Sequence, residues 1–206
     1  MKRVQEKLVV CALIISFGVF SQIETDHIPT ISAELSRVEF QDHFYEALKH
    51  KALENYSKAI EELLLCVEID PKESAIFFEL GTNYFKSNQF EQAEFNFKKA
   101  ITLNATNFWY KESLYNLYVN QARHEDAIVA IQPILSRNSN YSQDLANLYI
   151  NIGNFSQALN ILDSLDNRLG INLARDKIRT EVYNLSEDKD KRIIHLKTRV
   201  LESPET

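Results

Sequence analysis

The sequence predicts an all-α fold in which repeated helix pairs stack into an α-solenoid. Alanine recurs at Ala59, Ala93, Ala127 and Ala158, in steps of 34, 34 and 31 residues. Within each step, apolar residues recur at intervals of three and four, which is the spacing of one helix face. The 206-residue chain has only four Gly and four Pro, whereas folds of short strands need more turn residues. A hydrophobic content of 45% is sufficient for one domain with a buried core.

The first residues have the layout of a secretory signal peptide. Three basic residues precede an uncharged, mostly apolar run, Leu8–Phe20, which is shorter than the roughly 20 residues that span a bilayer. We expect residues 1–21 to be removed and the mature protein to be periplasmic, outer-membrane associated or secreted. A single N-terminal anchor is the weaker alternative. Residues 22–39 then form a linker that becomes helical near Ser32. This opening resembles those of exported bacterial proteins, specifically of the Bacteroidetes.

Charge and motif content argue against several classes of protein. The net charge of -6, without a Lys/Arg cluster, disfavours a nucleic-acid partner. The sequence has no Gly-rich phosphate loop, paired-Cys motif or nucleophile elbow. We therefore expect a protein that is not an enzyme and that has no cofactor, no metal and no small-molecule substrate.

Two weaker arrangements could carry chemistry. Cys66 is the only cysteine after the predicted signal peptide and lies in an apolar stretch. We interpret it as a small buried hydrophobe and not as a catalytic thiol, because no base accompanies it. His43, Glu46 and His50 can share a helix face, but without a fourth ligand a partly packed helix surface is favoured over a zinc site.

The alanines mark equivalent positions in four units. A ring stands three residues before each alanine, at Tyr56, Phe90, His124 and Phe155. A large apolar side chain stands four residues after each, at Leu63, Phe97, Ile131 and Leu162. Polar turns at 87–89, 121–123 and 153–154 divide the second, third and fourth units into two helices. These helices must pack closely at the alanine, where a larger side chain would cost about 1–3 kcal/mol of strain.

Segment 74–107 shows the full pattern and resembles the tetratricopeptide repeat, a 34-residue helix-turn-helix unit. The residues that carry the resemblance are Phe77, Leu80, Gly81, Tyr84, Phe90, Ala93, Phe97 and Ala100. The resemblance covers four repeats in residues 40–165, although Tyr115 stands where a small residue is usual. Residues 166–206 are predicted to form a degenerate fifth helix pair or cap. Its expected apolar face comprises Ile171, Ala174, Ile178, Val182 and Leu185.

The resemblance implies a ligand groove along the first helix of each unit. Its expected lining residues are Phe78, Thr82, Phe85, Lys86, Trp109, Glu112, Asn116, Asn120, Gln143, Asn147 and Asn151, with Ala75, Val119, Asn140 and Ile150 at neighbouring positions. Asn116 is equivalent to Asn147, and Asn120 to Asn151. Amides both donate and accept hydrogen bonds, so these pairs can hold a peptide backbone; the alternative is that they are simply solvated. Lys86 alone does not make a carboxylate clamp.

We therefore predict a non-catalytic protein–protein interaction scaffold that binds a peptide or helix of a partner in this groove. One alternative is a structural or assembly subunit of a cell-envelope complex that self-associates. Another is the N-terminal adaptor part of a longer protein. Fold alone does not select among these hypotheses.

Overall fold

The computed structural model describes residues 31–187 and 189–202, and within them every regular element is a helix. The predicted signal peptide and the first part of the predicted linker, residues 1–30, lie outside the described residues. The chain divides into two units, Met1–Asp42 and His43–Thr206. Within the described residues, no helix combines the length and apolar content needed to cross a bilayer.

The helices follow one another in pairs. Their bounds are α1 (Ile31–Ala52), α2 (Tyr56–Ile69), α3 (Ser74–Lys86), α4 (Phe90–Leu103), α5 (Phe108–Asn120), α6 (His124–Leu135), α7 (Ser142–Asn151), α8 (Phe155–Leu169), α9 (Leu173–Leu185) and α10 (Lys189–Glu202). A 3₁₀ turn, Ser139–Tyr141, leads into α7. Helix α6 has 12 residues where α4 has 14, and Pro133 lies near its end. Helix α6 and the connection after it, residues 124–138, take 15 residues, against 18 for α4 and its connection, residues 90–107, and this difference accounts for the 31-residue step. Proline favours the early end of α6 because it disrupts helix geometry.

One backbone conformation recurs in the turn inside each pair. Glu54, Asn88, Ala122, Gly153 and Glu187 all have a positive φ, between 54° and 75°. The amide of the residue after each of the first four donates to a carbonyl five residues back, as Gln89 does to Tyr84 at 2.8 Å. This left-handed residue with a backward hydrogen bond ends a helix without orphaned carbonyls. The turn therefore repeats even where its residue type does not.

The links between pairs are also built alike. Asn107, Asn138 and Asn172 each accept a hydrogen bond from the backbone amide two residues on, at 2.9, 3.1 and 2.8 Å. Glu73 does the same before α3. Capping of this kind satisfies amides that the first helical turn leaves free. Asn107 and Asn172 thus cap α5 and α9 directly, and Asn138 caps the 3₁₀ turn that leads into α7.

Close packing at the small residues confirms the helix pairs. All four alanines of the repeat are fully buried, and so are Leu63, Ile131 and Leu162. A Cβ atom added to Gly81 would lie 2.6 Å from the ring of Phe97, nearer than atoms can approach. Glycine at this position therefore lets α3 and α4 pack together around a buried phenylalanine.

The fifth pair repeats the geometry but not the expected apolar face. Helices α9 and α10 have 13 and 14 residues, the lengths of α3 and α4. In α9 the buried residues are Arg175, Arg179 and Val182, whereas Ile171, Ala174 and Leu185 are exposed and Ile178 is half-buried. The predicted face was wrong except at Val182, because two arginines occupy the positions of Ile76 and Leu80 in the second unit.

Buried ion pairs explain how those arginines are tolerated. Asp166 on α8 accepts hydrogen bonds from Arg175 at 2.6 Å and from Arg179 at 2.8 Å. Arg179 also pairs with Asp163, and Arg175 donates to the carbonyl of Gly170. Burial acts to raise the pKa of Asp166, but the hydrogen bonds from both arginines outweigh it, and the pKa is lowered. A charged joint thus connects the fourth and fifth pairs.

A candidate ligand face on the first helices

The first helices of the second, third and fourth pairs are joined by aromatic contacts. The ring of Phe78 on α3 stacks on Tyr110 of α5, with 4.9 Å between centroids. Tyr141, just before α7, meets Phe108 at 6.4 Å and Tyr115 edge-on at 5.8 Å. Tyr110 and Tyr115 are buried. These rings hold α3, α5 and α7 as neighbours, and we call their solvent side the first-helix face.

The predicted groove residues all lie on α3, α5 and α7, but their exposure differs. The exposed ones are Lys86, Trp109, Asn116, Asn120, Asn147 and Asn151. Those that are half-buried are Phe78, Thr82, Phe85, Glu112 and Gln143. The Trp109 side chain stands out because it is large, apolar and 63% exposed. Exposed aromatic residues are the type that most often dominates binding interfaces.

The amides form two rows on the first-helix face. Asn116 and Asn147 occupy one equivalent position of α5 and α7, and Asn120 and Asn151 occupy another, one helical turn later. All four are exposed. Consecutive units place equivalent residues side by side, so each pair extends across the helices. An incoming backbone would meet both donors and acceptors.

An apolar row runs between these amides. Phe85 on α3, Val119 on α5 and Ile150 on α7 share one position of the repeat, immediately before Lys86, Asn120 and Asn151. Val119 is 41% exposed and the other two are half-buried. The Phe85 ring is supported by Phe90 at 5.9 Å. The face therefore alternates apolar and amide side chains, which suits a ligand with a polar backbone and apolar side chains.

Two of the predicted residues already have partners. The carboxylate of Glu112 accepts a hydrogen bond from the hydroxyl of Tyr141, which raises the pKa of Tyr141 to about 12. The hydroxyl of Thr82 donates to the carbonyl of Phe78 at 2.9 Å. Glu112 and Thr82 therefore stabilise the first-helix face itself. The exposed asparagine amides are better placed to bind a ligand.

The first-helix face carries both paired and unpaired charges. Asp144 on α7, at the position equivalent to Glu79, is exposed and forms no salt bridge within the described residues. Glu79 of α3 is bound by Lys51 at 2.6 Å, and Glu112 is held by Tyr141. Lys86 is exposed at the end of α3. A ligand here would be held mainly by hydrogen bonds and apolar contacts.

One feature of this region was missed in the sequence. Asn83 on α3 is 1% exposed, and its amide nitrogen donates to the carbonyl of Glu79 at 2.8 Å. Its Oδ1 atom has no hydrogen-bond partner among the described residues. The third and fourth units carry Leu117 and Leu148 at this position, both buried. That substitution of an amide for leucine was the signal available in the sequence.

Cys66 and two residues of the possible zinc site on α1 have structural contacts. Cys66 is fully buried, and burial, aided by nearby Glu62, raises the pKa of its thiol to about 11. The ring of His43 is hydrogen-bonded to Glu62 at 2.6 Å, and Glu46 pairs with Lys49 at 2.9 Å. Among the described residues, no three His, Cys, Asp or Glu side chains are grouped to hold a metal ion.

Paired helices, a repeated left-handed turn and small residues at the crossing points define an α-solenoid of helix-turn-helix repeats. The tetratricopeptide repeat pattern matches residues 47–73 and 74–107. Residues 47–107 therefore carry two tetratricopeptide repeats, as the sequence resemblance predicted for this segment. No curated protein matches the chain in sequence.

Solved structures share this fold. MamA is 16% identical, with a TM-score of 0.62 over 81% of this chain and 92% of MamA. A tetratricopeptide repeat protein from Parabacteroides merdae has the same identity and TM-score over 81% of this chain and 68% of its own. YrrB, a tetratricopeptide repeat protein with an unusual peptide-binding site, is 16% identical with a TM-score of 0.59, over 79% and 86%. At this identity the likeness shows the fold.

Proposed function

We propose that the protein is a non-catalytic scaffold that binds an extended segment of a partner protein along the first-helix face. The observation that carries this proposal is the apolar row of Phe85, Val119 and Ile150 beside exposed asparagines. An extended peptide presents the same alternation of amide groups and side chains. The peptide-binding site named for YrrB supports peptide binding by this fold.

The chemistry of the face favours an uncharged, partly apolar segment. Asn116 and Asn147 would bond its backbone, and Trp109 would cover an apolar side chain. Because such a segment carries no charge, its binding would depend little on ionic strength. A ligand that required a charged end would instead show strong salt dependence.

A matched pair of double variants tests the proposal. Peptides would be selected from a random-sequence display library with the full chain, and their dissociation constants measured by fluorescence anisotropy. Asn116→Ala with Asn147→Ala removes two hydrogen-bonding groups, each contributing about 1 kcal/mol, so the dissociation constant should rise about thirtyfold. The control is Gln132→Ala with Asn160→Ala, which removes two exposed amides from the second helices of the same units.

The proposal is supported if the selected peptides bind the control variant as tightly as they bind the wild type. The same peptides must bind the Asn116/Asn147 variant weakly. Equal affinity for both variants would reject the amide rows as the binding site. Failure to select any peptide would reject extended-peptide binding itself.

A further inference from the structure

The second helices carry an apolar patch that the proposed ligand face does not use. Phe95, at the middle of α4, is 67% exposed. Leu64 on α2 is 45% exposed, and Val129 on α6 is 72% exposed. Phe95 and Val129 occupy equivalent positions of consecutive units. Leu64 and Phe95 border the same pocket, and contiguous apolar surface marks an interaction site more often than scattered single residues do.

A pocket opens beside Phe95. It lies between α2 and α4, has a volume of about 480 Å³, and its floor is formed by Phe77, Leu80 and Tyr84 of α3. Leu64 and Phe95 stand at its mouth. The patch therefore holds both a protruding ring and an apolar pocket next to it. A surface that carries an exposed apolar ring next to an apolar pocket can be complementary to a second copy of itself around a twofold axis.

The charges around Phe95 have the symmetry that such pairing needs. Glu91 lies four residues before Phe95 and Lys99 four residues after it, so the three share one helix face about 6 Å apart. Glu91 and Lys99 are exposed. Lys99 is held near the pocket, with its amine 5.8 Å from the centre of the Phe77 ring. Neither residue forms a salt bridge in the described part of the chain.

We propose that two copies of this chain associate through α4, with the two helices antiparallel and the twofold axis at Phe95. In that arrangement, Glu91 of each copy faces Lys99 of the other. The two Phe95 rings pack against each other at the axis, and each covers the mouth of the partner's pocket beside Leu64. Along α4, Lys98 meets Gln92, so no like charges of this helix face each other. The occupant of the patch is therefore a second copy of this chain.

Charge reversal gives a test that depends on this pairing. In Glu91→Lys, lysines face lysines across the axis, and in Lys99→Glu, glutamates face glutamates. Each variant alone should associate at least about tenfold more weakly than the wild type. In an equimolar mixture, however, every lysine of one variant faces a glutamate of the other. The mixture should form a heterodimer.

The experiment is sedimentation equilibrium of the full chain over a range of concentrations at low salt. Native mass spectrometry, with one variant isotope-labelled, identifies the heterodimer. Phe95→Ser should weaken self-association about a hundredfold, because an aromatic anchor is lost on both sides of the interface. Trp109→Ser, which alters an equally exposed ring on the first-helix face, should leave self-association unchanged. Circular dichroism checks that every variant keeps its helices.

Self-association of the wild type that is lost in each charge variant and restored on mixing supports the antiparallel pairing. A wild type that stays monomeric at every concentration overturns it. A dimer that survives Phe95→Ser, or a mixture that remains monomeric, overturns it equally.

Discussion

At the residue scale, two units pair a small side chain on the first helix with a large one on the second, and the third unit differs. Gly81 faces Phe97 in the second unit, and the fourth unit has Ala146 and Leu162 at the equivalent positions. The third unit has Tyr115 and Ile131 there, and the Tyr115 ring reaches Tyr141 of the next unit. A tyrosine at a usually small position is therefore accommodated toward the neighbouring repeat.

Gly81→Ala should destabilise the protein even though alanine is the better helix former. The new methyl group would lie 2.6 Å from Phe97, which is itself only 3% exposed and has little freedom to move. Overpacking costs about 1–3 kcal/mol, and the gain in helix propensity returns about 1 kcal/mol. We expect a net loss of about 1 kcal/mol in the free energy of unfolding, measured in urea.

Replacing the opposing ring provides the control for that substitution. Gly81→Ala combined with Phe97→Leu recreates the Ala146 and Leu162 pair of the fourth unit. The double variant should lose less free energy of unfolding than the two single variants lose in total, because a smaller leucine in place of Phe97 leaves room for the methyl group. Additive losses, or a Gly81→Ala variant as stable as the wild type, would show that the contact is not strained.

At the scale of elements, the sequence predicts the helices of the first four pairs well and the face of the fifth poorly. Apolar periodicity specifies a buried face when that face is apolar, as it is around Ala93 and Leu114. Helix α9 buries Arg175 and Arg179 instead, and their partners lie on α8, outside any local pattern. Tyr183, which stands 34 residues after Tyr149, was the signal that fixes the register of α9.

For the candidate ligand face, the sequence predicts the positions of the residues but not their contacts. Repeat register places the asparagines and Trp109 on the exposed side of the first helices, because equivalent positions recur. It does not reveal that Glu112 is bound by Tyr141, since that contact joins two units 29 residues apart in sequence. Positions follow from periodicity, whereas the pairing of polar groups needs the packed structure.

Asp166→Ala should destabilise the packing of the fifth helix pair against the fourth. Without this carboxylate, Arg175 and Arg179 remain largely buried and lose their main partner. Leaving buried charge uncompensated costs about 3–5 kcal/mol. Hydrogen exchange should show faster opening of α9, while α3 to α6 keep their protection, because repeats interact mainly with their neighbours.

Replacing all three charged residues of this joint with apolar ones distinguishes the loss of ion pairing from a general loss of packing. Arg175→Ile, Arg179→Leu and Asp166→Leu together restore the apolar positions seen in the second unit. This variant should protect α9 at least as well as the wild type does, since well-packed apolar groups can replace buried ion pairs. If Asp166→Ala leaves α9 fully protected, the ion pairs do not hold the joint.

At the scale of the whole molecule, apolar packing is continuous through the middle units while charged groups reinforce the joints. One buried cluster extends from Ala93 to Leu148, across the second to fourth units. At the joint between the second and third units, Glu94 on α4 accepts hydrogen bonds from Arg123 and from Tyr118. Arg123 also lies over the Tyr118 ring, 4.5 Å from its centre. Acid should therefore act on the solenoid first at its joints.

The free energy of unfolding should fall between about pH 4.5 and pH 2, in part because Glu94 becomes protonated. Burial acts to raise the pKa of Glu94, but hydrogen bonds from Arg123, Lys98 and Tyr118 hold it at about 2, against an ordinary value of 4.5. A lowered pKa in the folded state stabilises the protein above the ordinary pKa. That stabilisation, on the order of 3 kcal/mol, is lost as pH falls through the folded value.

Glu94→Gln removes this titration and should flatten the pH dependence of unfolding in that range, measured by urea denaturation at a series of pH values. Glu61→Gln is the matched control, because Glu61 is an exposed carboxylate on another second helix. It should leave the profile as steep as in the wild type. Asp166, whose pKa is also lowered, would still contribute acid sensitivity at the joint between α8 and α9. If Glu94→Gln and Glu61→Gln give the same profile, the joint between the second and third units does not depend on the charge of Glu94.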